Sequence, residues 1–198
     1  MEDKVRFSEN VILIDVAFLN EMACSVKEFL GMKLGRELQN IDLPVWLSYL
    51  SLDAGLREDT NEIQVLLLHG EDTHALQCCV PSDLDSLNGM ACRTPLGEFA
   101  FSCVNAAGIT TSEEMYLDLL NLTLDAADVK HLMLVPAHSV YGNRVEDALR
   151  KYFEGKSEEE RGKAVYFAME EPLQPIFARW DFVLYSLAQA FGIKSDEL

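Results

Sequence analysis

Two predicted strands end at residues where a ligand or a catalytic group is expected. Val11 to Ile14 form an apolar run followed by Asp15, and a second run, Val129 to Val135, leads into Pro136-Ala137-His138. In open α/β sheets, ligands bind just beyond the carboxyl ends of the strands. An acid at the end of a buried strand costs several kcal/mol in free energy unless it is hydrogen-bonded or binds a cation. The first strand therefore supplies a candidate carboxylate, and the second supplies none.

Acidic residues on a predicted helix are further candidates for a metal site. Thr111-Ser112-Glu113-Glu114 has the form of a capping box, which predicts a helix from Thr111 to about Ala127. Asp118 lies within it and is either an inward ligand or part of one solvated face. The second interpretation is favoured because four polar residues follow the helical repeat: Glu114, Asp118, Asn121 and Asp125.

The order of these residues resembles the PIN-like superfamily, especially its NYN branch, over most of the first 155 residues. Asp15 resembles the first acid of that family, Asn20 a displaced version of its asparagine, and Asp118 its helical acid. The stretch from Leu132 to Tyr141 resembles the later strand and turn, but it lacks both turn acids and retains only Ser139 and an aromatic residue. The chain also resembles a family of uncharacterised bacterial proteins of unknown function.

The resemblance implies a site for Mg²⁺ or Mn²⁺ used in RNA hydrolysis. Asp15, Asp118 and Glu114 would be the metal ligands, with Asp147 as an alternative to Glu114. The rim of that site would consist of Asn20, His138 and Ser139. Metal-assisted phosphodiester hydrolysis needs several carboxylates to hold the ion and activate water, and this set is small. Asp15 and Asp118 are therefore candidate catalytic residues, and neither is assigned that role.

Three functions follow from this reduced carboxylate set. The favoured one is a PIN/NYN-like domain with a degenerate active site that acts through protein contacts and is not an enzyme. The first alternative is a Mg²⁺- or Mn²⁺-dependent ribonuclease. The second is a small-molecule binding module that uses the crevice beyond Asp15 and His138.

The charge balance limits the classes of partner. The chain of 198 residues carries 33 acidic and 16 basic residues, for a net charge of −17. Because nucleic-acid binders use Lys and Arg to displace counterions from phosphates, this balance disfavours nucleic acid as the main partner. A local basic patch remains an alternative, with candidates at Lys27, Lys33, Arg36, Arg144, Arg150 and Lys151.

The cysteine pattern and the apolar runs predict a cytoplasmic protein. The five cysteines are an odd number and show no C-x-x-C spacing, and Met1-Glu2-Asp3-Lys4 begins no apolar signal segment. These features predict reduced thiols. No apolar run approaches the ~20 residues that are needed to cross a membrane.

Alternating strand and helix patterns predict a single α/β domain over residues 1–198. Its expected architecture is a three-layer α/β/α domain with a mostly parallel sheet. The resemblance to PIN-like proteins implies that this domain is PIN/Rossmann-like. The apolar repeat of Leu43, Trp46, Leu47 and Leu50 predicts a helix from Leu43 to Asp53. Thr94-Pro95-Leu96-Gly97 predicts the turn of a β-hairpin near residues 89–104.

Two segments in the last third allow more than one interpretation. Residues 176–191 predict a helix that is apolar on more than one face, so it is buried in its own core or contacts a partner or a second copy of the chain. In the charged connection 154–163, Ser157-x-x-Glu160 is either one helical turn or a solvated loop. The solvated loop is favoured.

Overall fold

The computed structural model of the protein describes residues 6–57, 59–106, 108, 110–194 and 196–197. Met1-Glu2-Asp3-Lys4, which was considered above as a signal region, lies outside the described residues. The helices are α1 (Val16–Leu34), α2 (Leu43–Asp53), α3 (Leu84–Leu87), α4 (Ser112–Asp125), α5 (His138–Phe153), α6 (Glu158–Arg161) and α7 (Val183–Ala190). The strands are β1 (Asn10–Asp15), β2 (Ile41–Asp42), β3 (Asn61–His69), β4 (Cys79–Val80), β5 (Ala91–Thr94), β6 (Gly97–Asn105), β7 (His131–Val135), β8 (Ala164–Ala168) and β9 (Arg179–Phe182).

The main sheet has seven strands in the order β5-β6-β3-β1-β7-β8-β9. Its strand pairs are parallel, apart from the antiparallel pair of β5 and β6. Helices α1 and α2 both contact α7, whereas α4 packs against α5. The predicted three-layer α/β/α architecture with a mostly parallel sheet is therefore confirmed.

The strand order reverses between β1 and β7. From β1 the chain moves outward to β3 and β6, and it then returns to place β7 on the other side of β1. Every residue of β1 is buried, as expected for a parallel strand with helices on both faces. At this switch point β1 ends at Asp15 and β7 ends at Val135. The last paired residues of the two strands are Ile14 and Val135. The two strand ends singled out in the sequence thus lie side by side.

The predicted β-hairpin is present as β5 and β6. Its register runs from Ala91 opposite Ala100 to Thr94 opposite Gly97. Gly97 has a φ of 143°, and a Cβ at this position would collide with the backbone of Asn61 on β3. Only glycine fits here, because the left-handed conformation and the close strand approach both exclude a side chain.

The segment predicted as a helix over 176–191 contains both a strand and a shorter helix. Residues 179–182 form β9, which pairs in parallel with β8 from Val165 opposite Arg179 to Ala168 opposite Phe182. The helix α7 begins only at Val183. Aromatic residues such as Trp180 and Phe182 are common in strands. Pairing with β8 also satisfies the backbone N–H and C=O groups of β9, and the apolar repeat along the sequence gives no sign of this pairing.

The charged connection also differs from its favoured interpretation. Ser157 and Glu160 form a complete capping box, and residues 158–161 form the short helix α6. The solvated-loop interpretation is therefore wrong, and the single helical turn is correct.

One pair of cysteines is joined, contrary to the prediction of five reduced thiols. Cys24 on α1 and Cys78, just before β4, form a disulfide with their Cα atoms 5.8 Å apart. Cys79, Cys92 and Cys103 are free. The two joined residues are 54 positions apart, so only the tertiary fold brings them together. Among the described helices, none is both long enough and apolar enough to span a membrane.

Candidate functional site

Asp15 lies at the switch point and caps helix α1. Its Oδ1 accepts a 3.0 Å hydrogen bond from the backbone N–H of Phe18, and its Oδ2 accepts a 2.7 Å bond from the hydroxyl of Tyr141. The residue is only 3% exposed. A carboxylate at a helix N-terminus satisfies a free N–H group and is stabilised by the helix dipole. Both oxygens of Asp15 therefore have structural partners.

Tyr141, on the helix that follows the neighbouring strand β7, donates the second hydrogen bond to Asp15. It sits at a kink in α5, with a non-helical φ of −136° and ψ of 19°. Burial raises the pKa of the Tyr141 hydroxyl, and the negative charge of Asp15 raises it further. The hydroxyl thus remains protonated and serves as a hydrogen-bond donor to Asp15.

The ring of Tyr116 on α4 packs against the ring of Tyr141. Their ring centroids are 5.5 Å apart, and the Tyr116 hydroxyl donates a 3.2 Å bond to the carbonyl of Leu13 on β1. Burial is the main cause of the raised pKa of Tyr116. The end of β1 is thus enclosed by two buried, protonated phenols.

Aromatic rings occupy the space beside Asp15 at the switch point. Phe18 and His138 meet edge to face, with ring centroids 4.9 Å apart. The Nδ1 atom of His138 is buried without a hydrogen-bond partner among the described residues. Burial lowers the pKa of His138, and the charges of Glu170 and Glu21 partly oppose this effect. The rings of Phe18 and His138 thus pack together where α1 and α5 begin.

The predicted helical ligands face away from this centre. Asp118 and Glu114 are exposed, whereas Tyr116 on the same helix is fully buried against the sheet. At about 100° per residue, Asp118 lies on nearly the opposite side of the helix from Tyr116. Glu114 also forms the capping box with Thr111 and accepts a 2.7 Å bond from Thr110.

This arrangement favours the solvated-face interpretation of α4, because Glu114, Asp118, Asn121 and Asp125 are all exposed. Over the described part of the chain, no three or more His, Cys, Asp or Glu side chains are grouped so that they could hold a metal ion. The predicted set of Asp15, Asp118 and Glu114 is therefore not brought together as a metal site. Asp147, the alternative to Glu114, is exposed and pairs with Arg150 on its own helix.

The predicted rim residues have separate surroundings. Asn20 is buried and holds a loop: its Nδ2 donates to the carbonyl of Ala75 at 2.9 Å, and its Oδ1 accepts from the N–H of Gln77 at 2.8 Å. Ser139 is exposed in the first turn of α5. Asn20 thus anchors this loop, and His138 contacts Phe18 at the start of α1.

Phe18 and Tyr141 define the site but were not among its predicted residues. Phe18 stands three positions after Asp15. This is the usual spacing between an N-cap residue and the residue whose backbone N–H donates a hydrogen bond to its side chain. That spacing was a usable signal. The bond between Tyr141 and Asp15 joins residues 126 positions apart, and no local pattern indicates it.

Two concave surfaces lie along α1, one at its first turns and one along its second half. A polar pocket of about 540 Å³ lies beyond the ends of β1 and β3, and is lined by Ala17, Asn20, Glu21, Asp72, Thr73, His74, Ala75 and Gln77. An apolar groove of about 580 Å³, here called the α1–α7 groove, is lined by Ser25, Val26, Phe29, Leu30, Lys33, Met169, Leu184 and Tyr185. Neither surface includes Asp15.

Comparison with known proteins yields one family. No curated protein and no solved structure matches the chain significantly. A family model described as "Family of unknown function (DUF6621)" matches residues 4–198. The chain therefore belongs to this family.

Proposed function

We propose that the protein is a non-catalytic, PIN/NYN-like α/β domain that acts through protein–protein contacts. The observation that carries the proposal is the state of Asp15, whose two carboxylate oxygens are engaged by Phe18 and Tyr141 in a buried setting. A metal ion at this position would compete with these two hydrogen bonds for a carboxylate that is only 3% exposed. The proposal assigns Asp15 a role in stability in place of catalysis.

The surface supports action through protein contacts. Monomeric proteins rarely expose large contiguous apolar patches, and such patches often mark interaction sites. The α1–α7 groove is lined in part by Phe29 and Tyr185, which are 62% and 51% exposed. The net charge of −17 adds an argument against nucleic acid as the main partner.

A metal-dependent thermal shift tests the catalytic part of the proposal. The midpoint of unfolding is measured with and without Mg²⁺ or Mn²⁺ for the wild type and for Asp15→Asn. We expect the metal-induced shift to be the same in both proteins, because Asp15 holds no ion. A shift that disappears in Asp15→Asn, together with metal-dependent RNA cleavage that also disappears, would establish the ribonuclease alternative.

The contact part is tested in the organism that carries the gene. The chromosomal copy is replaced by Asp15→Asn or by Tyr185→Ser, and the phenotypes are compared at equal protein levels. We expect Asp15→Asn to retain the cellular role and Tyr185→Ser to lose it. The opposite pattern would contradict the proposal.

The polar pocket beyond β1 and β3 favours a second candidate function, a small-molecule binding module. Its volume of about 540 Å³ is within the range of ligand sites, and it lies at the edge of the sheet where α/β proteins bind ligands. A metabolite screen by thermal shift tests this candidate, with Thr73→Trp as the variant that fills the pocket. A stabilising compound whose effect is lost in Thr73→Trp supports it, and the absence of any such compound counts against it.

A further inference from the structure

We propose that a pocket at the amino ends of β1, β3 and β7 binds a small zwitterion of the amino-acid type. This amino-edge pocket has a volume of about 460 Å³, and its lining includes Asn10, Arg57, Thr60, Glu62 and His131. The three strands are parallel, so it lies at the edge of the sheet opposite to the strand ends described above. It is therefore separate from the sites considered in the proposed function.

A buried amide orients the imidazole of His131 in this pocket. Asn10 is only 5% exposed, and its Nδ2 donates a 3.1 Å hydrogen bond to the carbonyl of Glu62. The other amide atom, Oδ1, lies 2.8 Å from Nδ1 of His131. Because an amide oxygen can only accept, Nδ1 of His131 carries the proton. The neutral ring therefore has its lone pair on Nε2, as a hydrogen-bond acceptor.

The sheet itself fixes this arrangement. Asn10 and His131 are direct partners in the register of β1 and β7. The backbone N–H groups of Lys130 and His131 also donate to the carbonyl of Glu9, at 2.8 and 3.1 Å. Groups that are held in place before a ligand arrives bind it at a lower conformational-entropy cost.

The pocket also presents one cationic and one anionic side chain. Arg57 and Glu62 form no ion pair with any residue that the structure describes, whereas Glu9 is paired with Lys130. The Nη1 atom of Arg57 donates to the carbonyls of Leu52 and Leu56, which fixes the position of the guanidinium. Its Nη2 and Nε atoms carry further N–H groups.

These groups match the two ends of an amino acid. A carboxylate suits the guanidinium of Arg57, which can donate two parallel hydrogen bonds to it. An ammonium group has three donors, which suit the carboxylate of Glu62 and Nε2 of His131. A ligand with a single charge would leave one of the two charged side chains unmatched as the pocket is covered, which is unfavourable.

The size of the pocket and the set of side chains agree with an organic ligand. A volume of about 460 Å³ lies within the range of small-molecule sites. In the described parts of the chain, Glu62 and His131 belong to no group of three or more potential metal ligands. An organic ammonium group is therefore favoured over a metal ion as the positive end of the ligand.

The tautomer of His131 is tested in the wild-type protein by ¹⁵N NMR of the imidazole. At a pH where the ring is neutral, we expect Nδ1 to be protonated and Nε2 to be unprotonated. The opposite tautomer would overturn the proposal, because Nε2 would then be a donor facing an ammonium group.

The ligand class is tested with the standard L-amino acids, each added singly to the wild-type protein and measured by calorimetry and NMR. We expect at least one to bind with a dissociation constant of about 1 mM or tighter and to shift the resonances of His131. Three analogues of the best binder are the controls: the carboxylic acid without the amino group, the amine without the carboxylate and the N-trimethyl derivative. Each should bind about tenfold more weakly or worse, because each lacks a charge or the donors.

Variants of the protein locate the binding site. His131→Gln, Arg57→Gln and Thr60→Trp change exposed residues of the amino-edge pocket, and circular dichroism checks that the fold persists. We expect each to weaken binding of the best amino acid about tenfold or more. His74→Gln and Arg144→Gln are the matched controls, because both residues are exposed and neither lines this pocket, and they should leave the affinity unchanged.

A last comparison separates this site from the polar pocket beyond β1 and β3. Binding that survives Thr73→Trp and is lost in Thr60→Trp supports the amino-edge pocket. The reverse pattern would place the ligand in the other pocket and overturn the proposal. It is also overturned if no amino acid binds, if the amine without the carboxylate binds equally well, or if His131→Gln and Arg57→Gln both leave the affinity unchanged.

Discussion

The hydroxyl of Tyr141 and the carboxylate of Asp15 form a 2.7 Å hydrogen bond across the switch point of the sheet. The bond connects the end of β1 to the kink in α5. Strand β7 pairs with β1 and is followed by α5 in the chain. It also gives the buried charge of Asp15 a second donor beside the N–H of Phe18. The residue that looked like a catalytic acid thereby joins the central strand to helices in both outer layers.

Loss of the Tyr141 hydroxyl is expected to destabilise the protein. In Tyr141→Phe, Oδ2 of Asp15 remains buried without its donor, which costs about 1–3 kcal/mol in the free energy of unfolding. Chemical denaturation measures this loss. Tyr152→Phe is the control, because its hydroxyl donates to the carbonyl of Leu124 and not to a carboxylate, and we expect a smaller loss of about 1 kcal/mol.

A double-mutant cycle isolates the bond itself. Asp15→Ala removes both the helix cap and the acceptor, and we expect it to be coupled to Tyr141→Phe by about 1 kcal/mol or more. Additive effects of the two substitutions would contradict a direct interaction between these residues.

The environment of His138 predicts a pH dependence of stability below neutral pH. Burial lowers the pKa of His138 in the folded state, so the unfolded chain binds more protons once the pH falls below the ordinary value of about 6.5. The contribution of neutral His138 to the free energy of unfolding is complete above about pH 6.5, and it is lost as the pH falls through the lowered pKa of the folded state. An NMR titration of His138 should give a midpoint below about 6.5.

Comparison with His138→Gln isolates this effect from those of the carboxyl groups. The variant should lose less stability than the wild type between about pH 7.5 and pH 5.5. His74→Gln controls for the removal of an exposed imidazole. Parallel curves for the wild type and His138→Gln would refute the assignment.

The disulfide predicts the number and reactivity of thiols. Without reductant, the denatured protein should contain three thiols, because Cys24 and Cys78 are joined and Cys79, Cys92 and Cys103 are free. Native labelling of Cys79 should be very slow near pH 8, because burial raises its pKa to about 12 and the thiolate is the reactive form. Mass spectrometry of alkylated peptides measures both results.

The same disulfide predicts a loss of stability in Cys24→Ser. Closure of a loop of this length restricts the unfolded chain, so the loss is up to about 4 kcal/mol in oxidised protein. Reduced wild-type protein and reduced Cys24→Ser should then unfold at similar denaturant concentrations. A persistent large difference after reduction would contradict this explanation.

Two fully buried serines should respond in opposite ways to alanine. Ser186→Ala leaves the indole N–H of Trp46 without its acceptor and is expected to cost about 1–3 kcal/mol. The hydroxyl of Ser51 is buried without a partner among the described residues, so Ser51→Ala should be neutral or slightly stabilising. Chemical denaturation of both variants under one condition gives the comparison, and equal losses would be inconsistent with it.

The parts of the fold that depend on local patterns could be predicted from the sequence. Helix α2 occupies Leu43–Asp53 as the apolar repeat indicated, and the capping box at Thr111 and Glu114 begins α4. The hairpin of β5 and β6 follows from its turn residues, Thr94-Pro95-Leu96-Gly97. Each of these signals involves residues that are near one another in the chain.

The parts that depend on distant contacts could not. Strand β9 exists because it pairs with β8, and the joining of Cys24 to Cys78 depends on how α1 faces the loop before β4. At the candidate site, Asp15 and His138 were correctly placed at adjoining strand ends, but the donor from Tyr141 was missed. Of the two interpretations of Asp118, the favoured solvated face agrees with the structure and the inward ligand does not, because Tyr116 occupies the inward face of α4.

Asn20 and Cys24 lie one helical turn apart on α1 and hold the same short segment, residues 75–78, by two hydrogen bonds and a covalent bond. These attachments respond to different conditions. Reductants cleave the disulfide, but they leave the two hydrogen bonds of the Asn20 side chain intact. The segment therefore has redundant anchorage. The pairing of β4 with β2, which begins at Cys79, can persist in reducing and in oxidising surroundings alike.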